Sequence, residues 1–273
     1  MKNIFNFRIL LICSAGLLTS GAQAQEETGL GQSTLAEISR IERPAAPENI
    51  PYDYTVDFQI NEPGDDAGDT PFTAVLVIKP TLAGDERVTV ISQSKEERPE
   101  ALKELLKTMS SLETSQADLA KEFWCEGRDQ SLLQQDVSIE DFTVVSETET
   151  EIVVRPNIQK LGDIMMSSND FSEEGGVGRK MIKKLLDHLD GEFTISKVDA
   201  HLKHFRIWMT RPMRVKLIAK IDEMELTQSC EIAPNGVAYK SGTSMHLLVK
   251  ALGTSVVQDM TVSVRDLKPN SQE

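Results

Sequence analysis

The chain has 273 residues, 40% of them apolar, with 29 basic and 43 acidic side chains and a formal net charge of −14. An acid excess of that size repels phosphates and anionic headgroups, which excludes nucleic acid as a partner. The length allows one large domain or two modest ones.

The opening "MKNIFNFRILLICSAGLLTSGAQAQEE" sets Lys2 and Arg8 ahead of an apolar run from Ile9 to Leu18. That run is too short to span a bilayer, and Ala22-Gln23-Ala24 supplies the small residues that a signal peptidase cuts. The pattern predicts a signal peptide over residues 1–24, removed after Ala24. The mature chain is then periplasmic or secreted and has no transmembrane span. Cleavage also removes Cys13, leaving Cys125 and Cys230 of the three cysteines. Two thiols in an oxidising compartment predict one disulfide. Neither cysteine has the CxxC or histidine neighbours of a redox or zinc site, so the bridge is expected to be a structural staple.

Residues 25–50 are polar and rich in Pro, Glu and Ala, and are expected to be mostly a tether with a short helix at Ser33–Arg40. The strand-rich domain is expected over 51–273, with possible sub-halves at 51–135 and 136–273. It begins with "YDYTVDFQI", in which Tyr52, Tyr54, Val56, Phe58 and Ile60 alternate with polar residues. That period of two predicts a strand with one buried and one wet face. "FTAVLVIKP" and "RVTVISQ" predict the next two strands. After Pro99, the stripe Leu102, Leu105, Leu106, Met109, Leu112 predicts a helix, and a second short helix leads to Trp124 and Cys125.

"DFTVVSE" and "TEIVVRP" predict a return to strands. Residues 161–178 are expected to be loop. Its "GGVGRK" lacks the Ser or Thr after lysine that a phosphate loop needs to reach magnesium. A helix is expected over Arg179–Asp190, stopped by Gly191. From Glu192 onward the chain predicts strands, including one long strand "MRVKLIAKIDEMELTQSCEI" in which Val215, Leu217, Ala219 and Ile221 alternate. Pro234-Asn235-Gly236 is expected to make a tight type I′ hairpin. The predicted disulfide would tie the end of the first helical segment to the strand that enters this hairpin.

No catalytic group stands out. There is no G-x-S-x-G elbow and no activated thiol. His201-x-x-His204 falls on a strand-like stretch, where the two side chains point to opposite faces. Met209, Met213, Met245 and His246 have the softness that suits copper(I), but methionine is also an ordinary core filler. No metal site, cofactor or catalytic residue is assigned.

The pattern predicts an α+β protein: a long antiparallel sheet with two to three helices packed on one face. Such a sheet either closes over its apolar side or offers it to a ligand. Tyr54, Val56, Phe58, Val215, Leu217 and Ile221 are the candidate ligand-facing residues. "TLAEISRIERP" before "YDYTVDFQI", helices between strand runs, and the hairpin tail around "APNGVAY" resemble the lipoprotein carrier and receptor family of LolA and LolB. The resemblance implies a curved, half-barrel-like sheet that shelters acyl chains. Pro44, Pro47 and Pro51 depart from that family's opening passage, and no functional residue carries over. The expected function is non-catalytic binding of an apolar ligand, lipid or acylated protein. The alternatives are a protein-interaction or envelope-assembly factor with a closed core, and a metal-binding protein or hydrolase.

Overall fold

The computed structural model describes residues 29–61, 70–125, 139–158, 183–215, 219–251 and 253–270. The expected signal peptide, the loop 161–178 and Leu217 lie outside the described residues.

Eleven strands form one sheet: β1 (Tyr52–Ile60), β2 (Phe72–Ile78), β3 (Val88–Gln93), β4 (Phe142–Glu147), β5 (Glu151–Pro156), β6 (Leu189–Ser196), β7 (Leu202–Met209), β8 (Met213–Val215), β9 (Ala219–Ile232), β10 (Ala238–Ala251) and β11 (Thr254–Pro269). Their order is β3-β2-β1-β11-β10-β9-β7-β6-β5-β4, with β8 paired to β9. All pairings are antiparallel. Strand β11 joins the opening meander to the rest, so the sheet runs without a break across both expected sub-halves. The alternation in β1 holds at each position: Tyr52, Tyr54, Val56, Phe58 and Ile60 are all buried.

Strands β3 and β4 form opposite edges of the sheet. Nine strand spacings of about 4.8 Å separate them, roughly 40 Å if measured flat, so the connecting chain must cross the sheet. That crossing carries helices α2 (Glu100–Ser110) and α3 (Gln116–Phe123). Pro99 stands just before α2, where its missing N–H costs nothing. Leu102 of the predicted stripe is fully buried, whereas Leu112 lies past the helix and is 82% exposed. Helix α3 starts in a capping box: the Ser115 hydroxyl accepts from the Asp118 N–H, and the Asp118 carboxylate accepts from the Ser115 N–H.

Three devices fix the crossing in place. Arg87, buried at the β2–β3 turn, donates from Nη1 to the Met109 carbonyl at 2.9 Å and from Nε to the Leu82 carbonyl at 2.9 Å. It thereby satisfies an orphan carbonyl at the end of α2. Beyond α3, Trp124 bridges to Tyr239 and the Cys125 N–H donates to the Ala238 carbonyl. The Cys125–Cys230 disulfide, with Cα atoms 6.2 Å apart, then bonds the crossing to β9.

Several expectations are corrected. Residues 29–50 are built into the molecule and do not hang free as a tether. Helix α1 (Gly29–Ile38) buries Leu35 and Ile38 and approaches β4 so closely that a Cβ on Gly31 would meet Val144 Cγ2 at 2.7 Å. The chain then passes Ala200, whose carbonyl accepts from Arg43, and buries Ala46 and Ile50 before β1. Prolines 44, 47 and 51 suit this extended strap because each disfavours helix in the residue before it.

The helix expected to reach Gly191 has ended before β6 begins at Leu189. Of its described residues, 183–186 are helical, and Gly191 sits inside a strand. Burial and cross-strand pairing with Ile207 override the helical stripe there. The long strand from Met213 is two strands, because β8 folds back on β9 with Met213 opposite Ile221 and Val215 opposite Ala219. The hairpin at Pro234-Asn235-Gly236 is not type I′. Among the three, only Gly236 has positive φ (82°), and its N–H donates to Ala233 O at 2.8 Å. Proline at the first central position fixes a negative φ, which selects a type I turn followed by a left-handed glycine.

Candidate ligand-binding site

Under α2 and α3 lies a cavity of about 190 Å³. Its floor is Tyr54, Val56 and Phe58 on β1, with Val262 on the neighbouring β11, and its roof is Leu105 on α2 and Leu119 on α3. Three polar residues, Glu122, Lys240 and Thr243, also line it. At about 30 Å³ per water-sized group, the space holds about six non-hydrogen atoms.

An aromatic cluster closes one side. The Phe123 ring lies 4.9 Å from Tyr54, 4.8 Å from Trp124 in an edge arrangement, and 5.5 Å from Tyr239 in a stack. Burial pushes the Tyr54 hydroxyl well above the usual phenol range, against a smaller opposing pull from Arg87. Tyr239 is pushed up to about 12 by burial and by its hydrogen bond to the Glu231 carboxylate at 3.0 Å. Both phenols are therefore neutral across the physiological range.

Lys240 is the exceptional group. The residue is 8% exposed, and its Nζ makes no hydrogen bond among the described residues. The Glu122 carboxylate stands 3.8 Å away, with 39% of its side chain exposed. Burial pulls the ammonium below the ordinary lysine range, while Glu122 acts in the opposite direction. A β-bulge explains how a lysine comes to face inward. Lys240 is opposite Cys230 and Gly242 is opposite Ser229, so β10 spends two residues where β9 spends one. The slip puts Lys240 on the face of Gln228, Leu226, Thr243 and Met245. Gln228 lies behind it on β9, donating weakly to both disulfide sulfurs at 3.8 Å, with its Oε1 buried and unmatched.

Of the six candidate residues, the structure brings Tyr54, Val56 and Phe58 to the cavity. Val215 and Ile221 lie elsewhere, in a separate cluster with Met213 and Leu247, and packed by Leu185, Met209 and Met224. Sequence reasoning missed Leu105, Leu119 and Lys240 as lining residues. The first two belong to apolar stripes already visible, whereas the only local hint for Lys240 was the neighbouring Gly242.

The histidines do not converge. His201 Nδ1 lies 2.6 Å from Asp199, His204 Nδ1 lies 3.4 Å from Ser229 Oγ, and His246 sits between Asp259 and Glu223. Met209 and Met213 belong to the separate cluster, whereas Met245 is in the main core. Among the described residues, no three His, Cys, Asp or Glu side chains are grouped to hold a metal ion. Also among them, no helix is long and apolar enough to cross a membrane.

No protein-family model and no curated protein matches the chain. Among solved structures it is similar to a LolA superfamily protein, NE2245 from Nitrosomonas europaea. That likeness has 10% identity over 89% of this chain and 94% of the other, with a TM-score of 0.29. An acyl-CoA thioesterase II, TesB2 from Mycobacterium marinum, aligns at 9% identity over 88% of this chain and 99% of that one, with a TM-score of 0.11. Neither similarity assigns the chain a family.

Proposed function

We propose that the chain is an exported, non-catalytic binding protein for an apolar ligand, which it holds between α2–α3 and the β1–β11–β10 part of the sheet. The observation that carries this reading is the cavity itself. It adjoins the main apolar core, is lined mainly by apolar side chains, and is roofed by helices that a disulfide ties to the sheet. A protein interior leaves few voids larger than a water, and an apolar one favours an apolar guest.

The sheet in this reading is bent, half-barrel-like, around the helices that cross it. The basic start, short apolar run and Ala22-Gln23-Ala24 of the signal-like N-terminus, with the Cys125–Cys230 bridge, fit a periplasmic or secreted setting. Lipid is the ligand class we favour, with a cavity of this size taking one end of a single acyl chain. Catalysis plays no part in the proposal.

The test is to purify the native chain without detergent, extract it with organic solvent, and analyse the extract by mass spectrometry. The expected result is an acyl-chain compound in near-stoichiometric amount. An extract no richer than that of a control protein of similar size would turn the reading toward a closed-core interaction protein.

A further inference from the structure

We infer that Lys240 is the anchor for the charged head of the ligand, and that the ligand is a free single-chain carboxylic acid. The inference rests on the cavity being a ligand site and adds the chemistry of its occupant.

Lys240 sits in the wall of a largely apolar cavity, with nine-tenths of its side chain shielded and, among the described residues, no hydrogen bond to its ammonium. A lysine serving only the fold would be expected to reach water or to be closely hydrogen-bonded, because an ammonium is strongly hydrated. Here the carboxylate close by among the described residues, Glu122, is at 3.8 Å and lies partly in solvent. That geometry is too long for a charge-assisted bond, which runs near 2.7–2.9 Å. The pair is thus loosely closed, and Glu122 has an exit to water.

An incoming carboxylate can take the position beside Lys240 Nζ while Glu122 turns outward. Its tail then lies along Val56, Leu105, Leu119 and Val262. One anion entering as another leaves keeps the local charge balanced. Thr243, cross-strand from Gln228, lines the same wall and offers a hydroxyl to the second carboxylate oxygen. An acyl chain held as an ester or amide, as on an acylated protein, brings no charge and would leave the ammonium unsatisfied. A phosphodiester headgroup carries a bulkier set of acceptors than one lysine and one hydroxyl can match. The space for about six atoms takes the carboxylate and about the first four carbons of a chain with its head at the lysine, so the tail of a longer acid such as octanoate would continue beyond it.

The experiment is calorimetric titration of the delipidated full chain at pH 7 with octanoate and with 1-octanol, for the wild type, Lys240→Met and Lys240→Arg. Octanol leaves water more readily than octanoate, so a cavity without a cation favours the alcohol. The expected result is octanoate binding about tenfold tighter than octanol in the wild type, as a hydrogen bond to a charged group implies. Lys240→Met should lose that preference while still binding octanol, and Lys240→Arg should keep it. A circular dichroism melt confirms that each variant is folded. Should octanol bind as well as octanoate in the wild type, or should the preference survive in Lys240→Met, the anchor is overturned and the cavity reading stands. Binding of neither ligand by the wild type overturns both.

Discussion

Two apolar regions share the inner face of β9 and β10 and differ in what covers them. Near Leu226 and Met245 the sheet lies under α2 and α3, and the fit leaves a cavity with a buried lysine in its wall. Farther along the same strands, Ile221 and Leu247 meet Met213 and Val215 of the short strand β8, and the cluster is closed by direct packing. Alternation along a strand tells which face is greasy and leaves open what covers it. A strand folding back on its neighbour covers its own residues at close range. Helices that must cross about 40 Å of sheet meet it at positions set by Arg87, the Trp124–Tyr239 bridge and the disulfide, and can leave space beneath.

That contrast can be broken in order of expected size. Loss of the staple should have the largest effect. Cys125→Ser with Cys230→Ser opens a loop of 105 residues, and the chain-entropy model gives about 5 kcal/mol of lost stability in urea unfolding. The same variant should loosen the α3 side first, seen as faster amide exchange at Leu119 and Phe123 than at Ile221.

Next comes a pair of truncations. Ile221→Ala empties a closed cluster and should cost about 3 kcal/mol. Leu105→Ala removes a half-buried side chain beside existing space and should cost about 1 kcal/mol. Only the second enlarges the ligand site, so only it should shift the preferred acid toward longer chains. Equal costs would mean that the two regions are packed alike.

Lys240→Met should stabilise the ligand-free protein by about 1 kcal/mol. It replaces a poorly paired buried ammonium with an apolar chain of similar length, and Glu122 can turn to water. The sign with pH follows from the depressed lysine. The unfolded chain binds more protons than the folded one between the lowered value and the ordinary 10.5, so stability from this group rises with pH across that window.

The smallest effect belongs to the outer face. Cross-strand ion pairs run over it: Arg155 donates to Glu192 at 2.6 Å, and Arg206 to Glu225 at 2.7 and 3.0 Å, with both guanidiniums near the Trp208 ring. His246 extends the row, raised above its ordinary value chiefly by the hydrogen bond to Asp259. A raised histidine contributes fully below its unfolded value of about 6.5 and loses that contribution as pH climbs through the folded value. At this exposure the effect should stay under about 1 kcal/mol. Melting temperatures of wild type and His246→Gln should therefore converge as pH rises from 6 to 8.

Much of the strand framework was legible: strict alternation in β1 is its burial period, while β2 and β3 were legible as β-branched runs between turn signals. Cys125 and Cys230 were legible from number and setting. Other features depended on pairing that no local pattern carries. The strap over residues 39–51 buries isolated residues such as Ile50 among prolines, which reads as linker until its partner surface is known. The run from Met213 keeps its alternation through a fold-back, so a hairpin and a long strand read the same. Lys240 faces inward through a one-residue slip against Cys230 and Ser229, and a bulge leaves almost no trace in composition.

The most direct test is methyl-resolved NMR of the delipidated chain titrated with octanoate. Shifts confined to Val56, Leu105, Leu119 and Val262, with Ile221, Leu247 and Val249 unmoved, are the expected result. Movement at the Ile221–Leu247 cluster alone, or no movement at either, would contradict the claim that an apolar guest sits beneath the crossing helices.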